Sequence, residues 1–288
     1  MREPPHQASS LFLFTRRRHL PLPSSLFVGL LRQRCDARTG APPCLLGRDP
    51  SLPSSIAAGM AAVTAVEHLV LFKVRDGTDP AKVDAMVSNL RSLASLDVVL
   101  HLAAPAIIRC RSPAAAALGF THLLHSRYRT KPDLAAYAAH PAHLSVVREF
   151  VLPICDDIMA FDWVGHLGSG PVALRPGSVA RVTLAKLREG AGEEEKADVM
   201  AALGGFQGSF PGVVVEQFSY GENFSPARAK GFSVGSIAVF AGPEELDGLE
   251  ANGGDLLEAH KEKARALLES IIVVDFVVPP QPAVASGL

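Results

Sequence analysis

Apolar and polar positions begin to follow a regular pattern near residue 66, where a strand and then a helix are predicted. The stretch VEHLVLFKV at 66–74 is rich in β-branched and apolar residues, as is typical of a strand. Residues 79–96 carry apolar side chains at helical spacing, with Asp79 suited to the N-cap and Pro80 to the first turn. Because both alternating faces of the strand are largely apolar, we expect both to be buried.

The segments that follow complete a recognisable unit. Strand patterns occur at 98–108 and 120–130, and the alanine-rich stretch between them is a loop with room for a helical turn. Residues 131–158 predict a helix that is interrupted around His140–Pro141, and 158–164 predict a last strand. The order β-α-β-β-α-β is the ferredoxin-like arrangement.

The same pattern returns later in the chain. The segment ARVTLAKLREG at 180–190 aligns with EHLVLFKVRDG at 67–77, and SIIVVDFVV at 270–278 aligns with DIMAFDWVG at 157–165. Both alignments have the same offset of 113 residues. An equal offset at both ends of the unit indicates a tandem repeat.

Two copies of this unit can bury a sheet face that a single copy would leave exposed. One β-α-β-β-α-β unit places its helices on one face of the sheet and leaves the other face open to water. We therefore predict an α+β fold in which two tandem ferredoxin-like sheets face each other as a barrel, an intramolecular pseudo-dimer. Further association into a homodimer is compatible with this pattern. The predicted organisation is a disordered targeting or extension segment (1–59), a first domain (66–164), a linker (165–178), a second, diverged domain (179–278) and a C-terminal tail (279–288).

The composition and charge of the chain limit which kinds of partner it is expected to bind. The chain has 288 residues, 48% of them hydrophobic, and a formal net charge of −1. This balance favours neither nucleic acid nor an anionic membrane surface as a partner. The longest apolar runs are broken by His or Pro and are too short to span a membrane. Four cysteines without a CxxC pair indicate a reducing compartment.

The two ends of the chain carry conflicting address signals. Residues 1–59 hold eight arginines, no lysine and many Ser and Pro, as in an organellar transit peptide. Alternatively, Met60 is the true start, and the protein is then cytosolic. The last residues, Ser286–Gly287–Leu288, resemble a peroxisomal SKL-type signal with its basic residue replaced by glycine. We favour the peroxisome, with its import receptor as a partner, over the chloroplast.

Several motifs resemble a known family. The stretches VEHLVLFK, FTHLLHSRY, AAYAAHPAH and FDWV are similar to those of the stress-response A/B barrel family. The most specific of them is Y-x-x-H-P-x-H at 137–143. The resemblance implies a dimeric α+β barrel fold and a stress-related role whose biochemical activity is mostly undefined. One member of that family, the olivetolic acid cyclase, folds a linear polyketide by an intramolecular aldol condensation.

Six of the ten histidines lie in the first repeat, and some are candidates for a site. Tyr137, His140 and His143 are spaced by three residues and share one helix face. Strand alternation can aim both His68 and His122 into the barrel. A tyrosine hydroxyl beside a neutral imidazole can hold an enol and move a proton. The resemblance to the cyclase implies catalytic roles for Tyr137 and His143, with His68 and His122 lining the substrate pocket, where His140 is a further candidate.

The second repeat lacks these residues. At the same offset, Arg181 replaces His68, and the helix positions become Glu250, Gly253 and Leu256. Chemistry, if present, is therefore expected in the first repeat alone.

A structural role explains the same histidines. The His140 imidazole can cap backbone groups that the proline frees, and strand histidines can be satisfied within a core. Our leading interpretation is a stress-linked role in binding a small hydrophobic or aromatic ligand, with a polyketide-cyclase-like enzyme as the alternative. A protein–protein scaffold ranks last, because it needs a large exposed apolar patch.

No cofactor is required by this pattern, and metal binding has little support. Pro141 disturbs the geometry with which His140 and His143 might chelate zinc. The family resemblance implies magnesium held by backbone carbonyls where the first helix ends. The matching carbonyls here belong to Ala94, Asp97, Val98 and Leu100.

Overall fold

The protein is represented by a computed structural model, which describes residues 63–167, 170–205, 214–252, 262 and 265–280. The segment predicted to be an extension, at 1–59, and the terminal Ser286–Leu288 lie outside these ranges. Among the described residues, no helix is both long and apolar enough to cross a membrane.

The first half of the described chain contains both short and long elements. In chain order they are β1 (Thr64–Val74), α1 (Pro80–Ser92), β2 (His101–Ala103), β3 (Arg109–Cys110), α2 (Pro113–Leu118), β4 (His122–Tyr128), α3 (Lys131–Ala139), α4 (Pro141–Val146) and β5 (Cys155–His166). Asp79 caps α1 as predicted, because its carboxylate accepts a hydrogen bond from the Ala81 amide at 2.9 Å. A 3₁₀ turn at Leu93–Ser95 follows α1, and a π-helical turn at Val147–Val151 follows α4.

The second half repeats the same order of strands and helices. Its elements are β6 (Val179–Leu187), α5 (Glu193–Gly204), β7 (Val215–Glu222), β8 (Val234–Phe240), α6 (Pro243–Asn252) and β9 (Leu268–Val277). A 3₁₀ turn at Pro226–Arg228 lies between β7 and β8.

Strand pairing confirms the tandem repeat. The first sheet has the order β2-β4-β1-β5 and the second has the order β3-β9-β6-β8-β7. In each half the first strand pairs antiparallel with the last, so that His68 lies opposite Asp162 and Arg181 lies opposite Asp275. The pairing register shifts after Lys73 in the first half and at the equivalent Lys186 in the second.

The single strand predicted at 98–108 is wrong: only His101–Ala103 of this segment forms a strand, β2, and the chain then crosses to the other sheet, where β3 begins at Arg109. β2 pairs with β4 in the first sheet, and β3 pairs with β9 in the second. Pro105, which cannot donate a ladder hydrogen bond, lies in the crossing between them. On the other side of the barrel, β7 of the second half lies against β5 of the first. The first half thus contributes β3 to the sheet of the second half, and the contact between β5 and β7 closes the other side of the barrel.

The helix predicted over 131–158 is also shorter than expected. It ends with the π-helical turn at Val151, and β5 already begins at Cys155. Pro153 fits this end, because a proline has no N–H with which to continue the helical hydrogen bonds.

The two sheets face each other across one shared apolar core, which confirms the predicted barrel. Its fully buried members from the first sheet include Leu69, Leu71, Phe161 and Trp163, and those from the second include Val182, Leu184, Ile237 and Phe276. Each such side chain stabilises the folded state by about 1.5–3 kcal/mol through burial. Neither sheet could bury this face without the other.

A polar cluster lies inside the barrel. The Glu67 carboxylate accepts hydrogen bonds from Arg127 Nε at 3.0 and 3.1 Å and from His125 Nε2 at 2.6 Å. All three side chains are fully buried, and Gln217 of the second half accepts from Arg127 Nη1 at 2.8 Å. Burial alone would raise the pKa of Glu67, but the charges and hydrogen bonds of Arg127 and His125 hold it well below its usual value. Glu67 is therefore a carboxylate at neutral pH.

Candidate functional site

The break between α3 and α4 arises from local sequence. Thr130 and Asp133 form a capping box that starts α3, and Pro141 lies in the first turn of α4. Between the helices His140 is extended, and its Nδ1 accepts a hydrogen bond from the Ala142 amide at 3.2 Å. The exposed His140 side chain is thus the N-cap of α4, in agreement with the capping role suggested for it from the sequence.

The helix break also sets the proton position on His143. Its Nδ1 lies 3.0 Å from the backbone carbonyl oxygen of Ala138. Because a carbonyl oxygen can only accept, Nδ1 carries the proton and Nε2 of the neutral ring is unprotonated. Burial lowers the pKa of His143; the hydrogen bond to Ala138 opposes this, and the charges of His68 and Arg228 add to the lowering. His143 is therefore neutral at pH 7, with a basic Nε2.

Tyr137 lies beside His143, with 4.6 Å between the ring centroids. The Tyr137 side chain is buried, and its hydroxyl is hydrogen-bonded to that of Tyr128. The Tyr128 hydroxyl in turn lies 3.0 Å from Ser126 Oγ, within hydrogen-bonding distance. Burial raises the pKa of Tyr137 above its usual value, although the hydrogen bond with Tyr128 acts the other way. Tyr137 is therefore a neutral phenol that can donate a hydrogen bond.

His68 on β1 forms another polar group with Asp162, which lies opposite it on β5. Its Nδ1 lies 2.5 Å from Asp162 Oδ1, and Arg228 of the second half donates to Asp162 Oδ2 at 3.0 Å. Burial tends to raise the pKa of Asp162, but the hydrogen bond and charge of His68, helped by Ser225 and Arg228, lower it. The ionised Asp162 fixes the Nδ1 proton of His68 and orients its ring.

These side chains meet at one cavity between the first sheet and its helices. The cavity has a volume of about 540 Å³. His68, Tyr137 and His143 line it, and the second half contributes Arg228 and Lys230. The rest of the wall is mainly apolar and includes Val70, Phe72, Leu90, Leu124, Val147 and Val151. An apolar wall with a few converging polar groups is typical of small-molecule sites.

The expectation that His68 and His122 are aimed into the barrel is wrong. The alternate residues Leu69 and Leu123 point into the barrel core, so both histidines lie on the opposite face, toward the helices. His122 does not line the cavity; it lies near its neighbour Thr121, whose hydroxyl is 2.9 Å from His122 Nδ1. Both faces of β1 are apolar, so alternation alone could not show which face is inside.

The carbonyls suggested for magnesium lie away from this cavity. Ala94 belongs to the 3₁₀ turn at Leu93–Ser95, and Asp97, Val98 and Leu100 lie in the loop before β2. No cluster of three or more His, Cys, Asp or Glu side chains in the described part of the chain could hold a metal. Magnesium held by backbone carbonyls stays a prediction.

Three polar residues at the site, Asp162, Arg228 and Lys230, were not predicted from the sequence. Asp162 is an acidic residue within the apolar closing strand, and it recurs as Asp275 at the repeat offset, a signal that could have identified it. Arg228 gave no such signal, because it lies in a loop of the other repeat, 66 positions away from its partner. Its role depends on how the two halves pack.

The equivalent position in the second half has a different chemistry. Arg181 donates to Asp275 from Nε at 2.8 Å and from Nη2 at 3.0 Å, and Arg111 of the first half donates from Nε at 3.1 Å. A guanidinium cannot exchange protons near neutral pH as an imidazole can. The helix positions that match Tyr137, His140 and His143 are Glu250, whose side chain is not described, and Gly253 and Leu256, which lie outside the described residues.

Comparison with known proteins gives one consistent family. Residues 66–164 and 179–278 each match the profile described as "Stress responsive A/B Barrel Domain". Two similar Arabidopsis thaliana proteins are both named as stress-response A/B barrel domain-containing proteins. The first is 50% identical over 74% of this chain and 79% of its own length. The second is 42% identical over 74% of this chain and 97% of its own length.

A solved structure shows the same fold. A putative monooxygenase from Fusobacterium nucleatum matches with a TM-score of 0.52 at 10% identity, over 77% of this chain and 94% of that one. At this identity the likeness concerns the fold alone. The two profile matches, the identity to the two Arabidopsis proteins, and the tandem ferredoxin-like units lead to one conclusion: this chain belongs to the stress-responsive A/B barrel domain family.

Proposed function

We propose that this protein binds a small, mainly apolar molecule that carries a carbonyl group, in the cavity between the first sheet and its helices. The observation that carries the proposal is the meeting of His68, Tyr137 and His143 on one otherwise apolar wall. The volume of about 540 Å³ lies within the range of small-molecule sites. The Tyr137 phenol is a donor that a ligand carbonyl can accept from.

Binding of a neutral aromatic ketone, such as hexanophenone, tests this proposal. Titration followed by NMR should show binding to the wild type, and Tyr137→Phe should weaken it about tenfold, because one hydrogen bond is lost. His140→Ala is the matched control, since His140 belongs to the same motif but caps α4 outside the cavity. Equal affinity of the wild type and Tyr137→Phe would argue against the cavity as the binding site.

A second candidate function, a polyketide-cyclase-like aldol condensation, is favoured by the protonation state of His143. Its unprotonated Nε2 can take a proton from the carbon between two ligand carbonyls. The enolate carbon then attacks a third carbonyl carbon further along the same ligand, a carbon–carbon bond forms as that C=O π bond becomes an alkoxide, and the proton returns to the alkoxide oxygen. Loss of water from the resulting aldol completes the condensation. Tyr137, 4.6 Å from His143 between ring centroids, can donate a hydrogen bond to that oxygen as charge develops.

Hydrogen exchange at carbon separates the enzyme from a protein that only binds. In deuterated buffer, NMR should show that the wild type accelerates exchange of the α-protons of a bound methyl ketone. His143→Gln should lower the accelerated rate about 10²- to 10⁴-fold, as expected for loss of a general base. His140→Ala should retain the wild-type rate. Binding without any acceleration by the wild type would exclude this second function and leave the first.

A further inference from the structure

The cavity of the first half is completed by the second half. Ala227, Arg228 and Lys230 line it, and they follow β7 in the loop that begins with the 3₁₀ turn at Pro226–Arg228. A second turn follows directly and includes Lys230, whose φ is 50°, and Gly231, whose φ is 85°. Two cationic side chains are thus brought by a short, well-defined loop to a cavity whose remaining wall is mainly apolar.

Arg228 has hydrogen-bonding capacity beyond its ion pair. Among the described residues its guanidinium makes one hydrogen bond, from Nη2 to Asp162 Oδ2 at 3.0 Å, and its side chain is 56% exposed. A guanidinium has five N–H donors, so several can reach a ligand. Arg228 lines the same cavity as His143 and Tyr137, the proposed reacting groups.

Lys230 is the second cation of the loop. Its Nζ lies 2.9 Å from Asp157 Oδ1, and its side chain is 40% exposed. Asp157 lies on β5 of the first half, near the start of the strand that also carries Asp162. A ligand anion would compete with Asp157 for this ammonium group.

The equivalent position in the second half, at Asp275, differs in a way that supports a ligand role for Arg228. There Arg111 takes the corresponding position against Asp275, but that carboxylate also binds both Arg181 nitrogens. The Arg111 side chain is only 28% exposed, half the value for Arg228. Arg228 is therefore the more accessible of the two arginines.

We propose that Arg228 and Lys230 form the anion-recognising part of the cavity, so that the ligand is a carboxylate on an apolar body. This inference rests on the proposed function, because it concerns the same cavity. Guanidinium and carboxylate groups make strong charge-assisted hydrogen bonds. The second, diverged half thereby selects the ligand, while His143 and Tyr137 of the first half act on it.

A matched pair of ligands tests the inference. Octanoate and octanamide share the same apolar chain and differ in charge, and their affinities are compared by calorimetric titration of the full chain. The wild type should bind octanoate about tenfold more tightly than octanamide. The double variant Arg228→Gln/Lys230→Gln should lose this preference and keep its affinity for octanamide. Arg175→Gln is the control, since Arg175 is 55% exposed, pairs with Glu216 and lies outside the cavity.

A variant that is expected to raise octanoate affinity strengthens the test. Asp157→Asn removes the carboxylate that competes for Lys230, so octanoate affinity should rise while octanamide affinity stays unchanged. If octanamide binds and octanoate binds no more tightly, or if the double variant keeps the preference, the inference is wrong and the proposed cavity function stands. If neither compound binds, this inference is wrong, and the hexanophenone titration decides whether the proposed function stands.

Discussion

At the scale of single residues, the chemistry of each histidine depends on which ring nitrogen is already used. His140 uses Nδ1 as an acceptor for the Ala142 amide, whereas His143 uses Nδ1 as a donor to the Ala138 carbonyl. The sequence motif does not distinguish the two histidines, because they lie one helical turn from each other on the same segment. Their backbone surroundings make one a cap and the other a candidate base.

The buried Glu67–Arg127 pair leads to a stability prediction at the same scale. Arg127→Met should lower the free energy of unfolding by about 3–5 kcal/mol, because it leaves the buried Glu67 carboxylate with one partner fewer. The double variant Glu67→Leu/Arg127→Met should lose less stability than Arg127→Met alone, since neither charge is then stranded. Urea unfolding followed by circular dichroism measures both, and a double variant less stable than the single one would contradict this account.

At the scale of elements, the barrel depends on the strands through which the two halves meet. β3 of the first half joins the second sheet, and β7 of the second half lies against β5. Gly221 of β7 lies against Trp163 of β5: an added Cβ would come within 2.7 Å of Trp163 Cδ1 and 3.0 Å of the Val164 carbonyl oxygen. The close approach of these strands therefore requires a glycine at this position.

Gly221→Ala should therefore destabilise the barrel by about 1–3 kcal/mol, the usual cost of overpacking. Gly205→Ala is the matched control, because its φ is −70° and an added Cβ there would meet no atom nearer than 3.5 Å. Thermal unfolding monitored by calorimetry compares the two variants. Equal midpoints for the two variants would show that the strand contact tolerates a methyl group.

At the scale of the whole molecule, one shared core and one cavity make the two halves interdependent. His101 and His125 lie at the barrel interior with 5.4 Å between their ring centroids. Burial is the main cause that lowers the pKa of both, and Arg127 lowers both further, while Glu67 opposes the change. Both histidines are therefore neutral in the folded protein.

Stability should fall on acidification. Because the folded-state pKa of each histidine lies below the unfolded value of about 6.5, the unfolded chain binds more protons as the pH drops through that value. Stability is then complete above about pH 6.5 and decreases below it, by at most about 1.4 kcal/mol per pH unit for each histidine. Urea unfolding at several pH values measures this slope, and His101→Phe should reduce it. A slope unchanged by His101→Phe would show that other groups cause the acid sensitivity.

Magnesium at the carbonyls that follow α1, self-association into a homodimer and the peroxisomal address at Ser286–Leu288 stay predictions. A fluorescent fusion with and without the last three residues would decide the address.

The sequence by itself determined the features that depend on local pattern or on the repeat. The two tandem units follow from the 113-residue offset, the α1 cap from Asp79, and the helix break from Pro141. Tyr137 and His143 were also expected near each other, because three-residue spacing through His140 favours one helix face and the family resemblance implies them as a pair.

Only the tertiary structure decided what depends on how the halves meet. Both faces of β1 are apolar, so burial of the strand was predictable but the side that faces the barrel was not. The crossing at 98–108 follows from barrel closure, which no short-range pattern encodes. Asp162 reaches His68 and Arg228 by strand pairing and packing across more than 60 positions of sequence. Such long-range contacts arise from the shared core, because burying both apolar sheet faces is what brings the second half to the cavity.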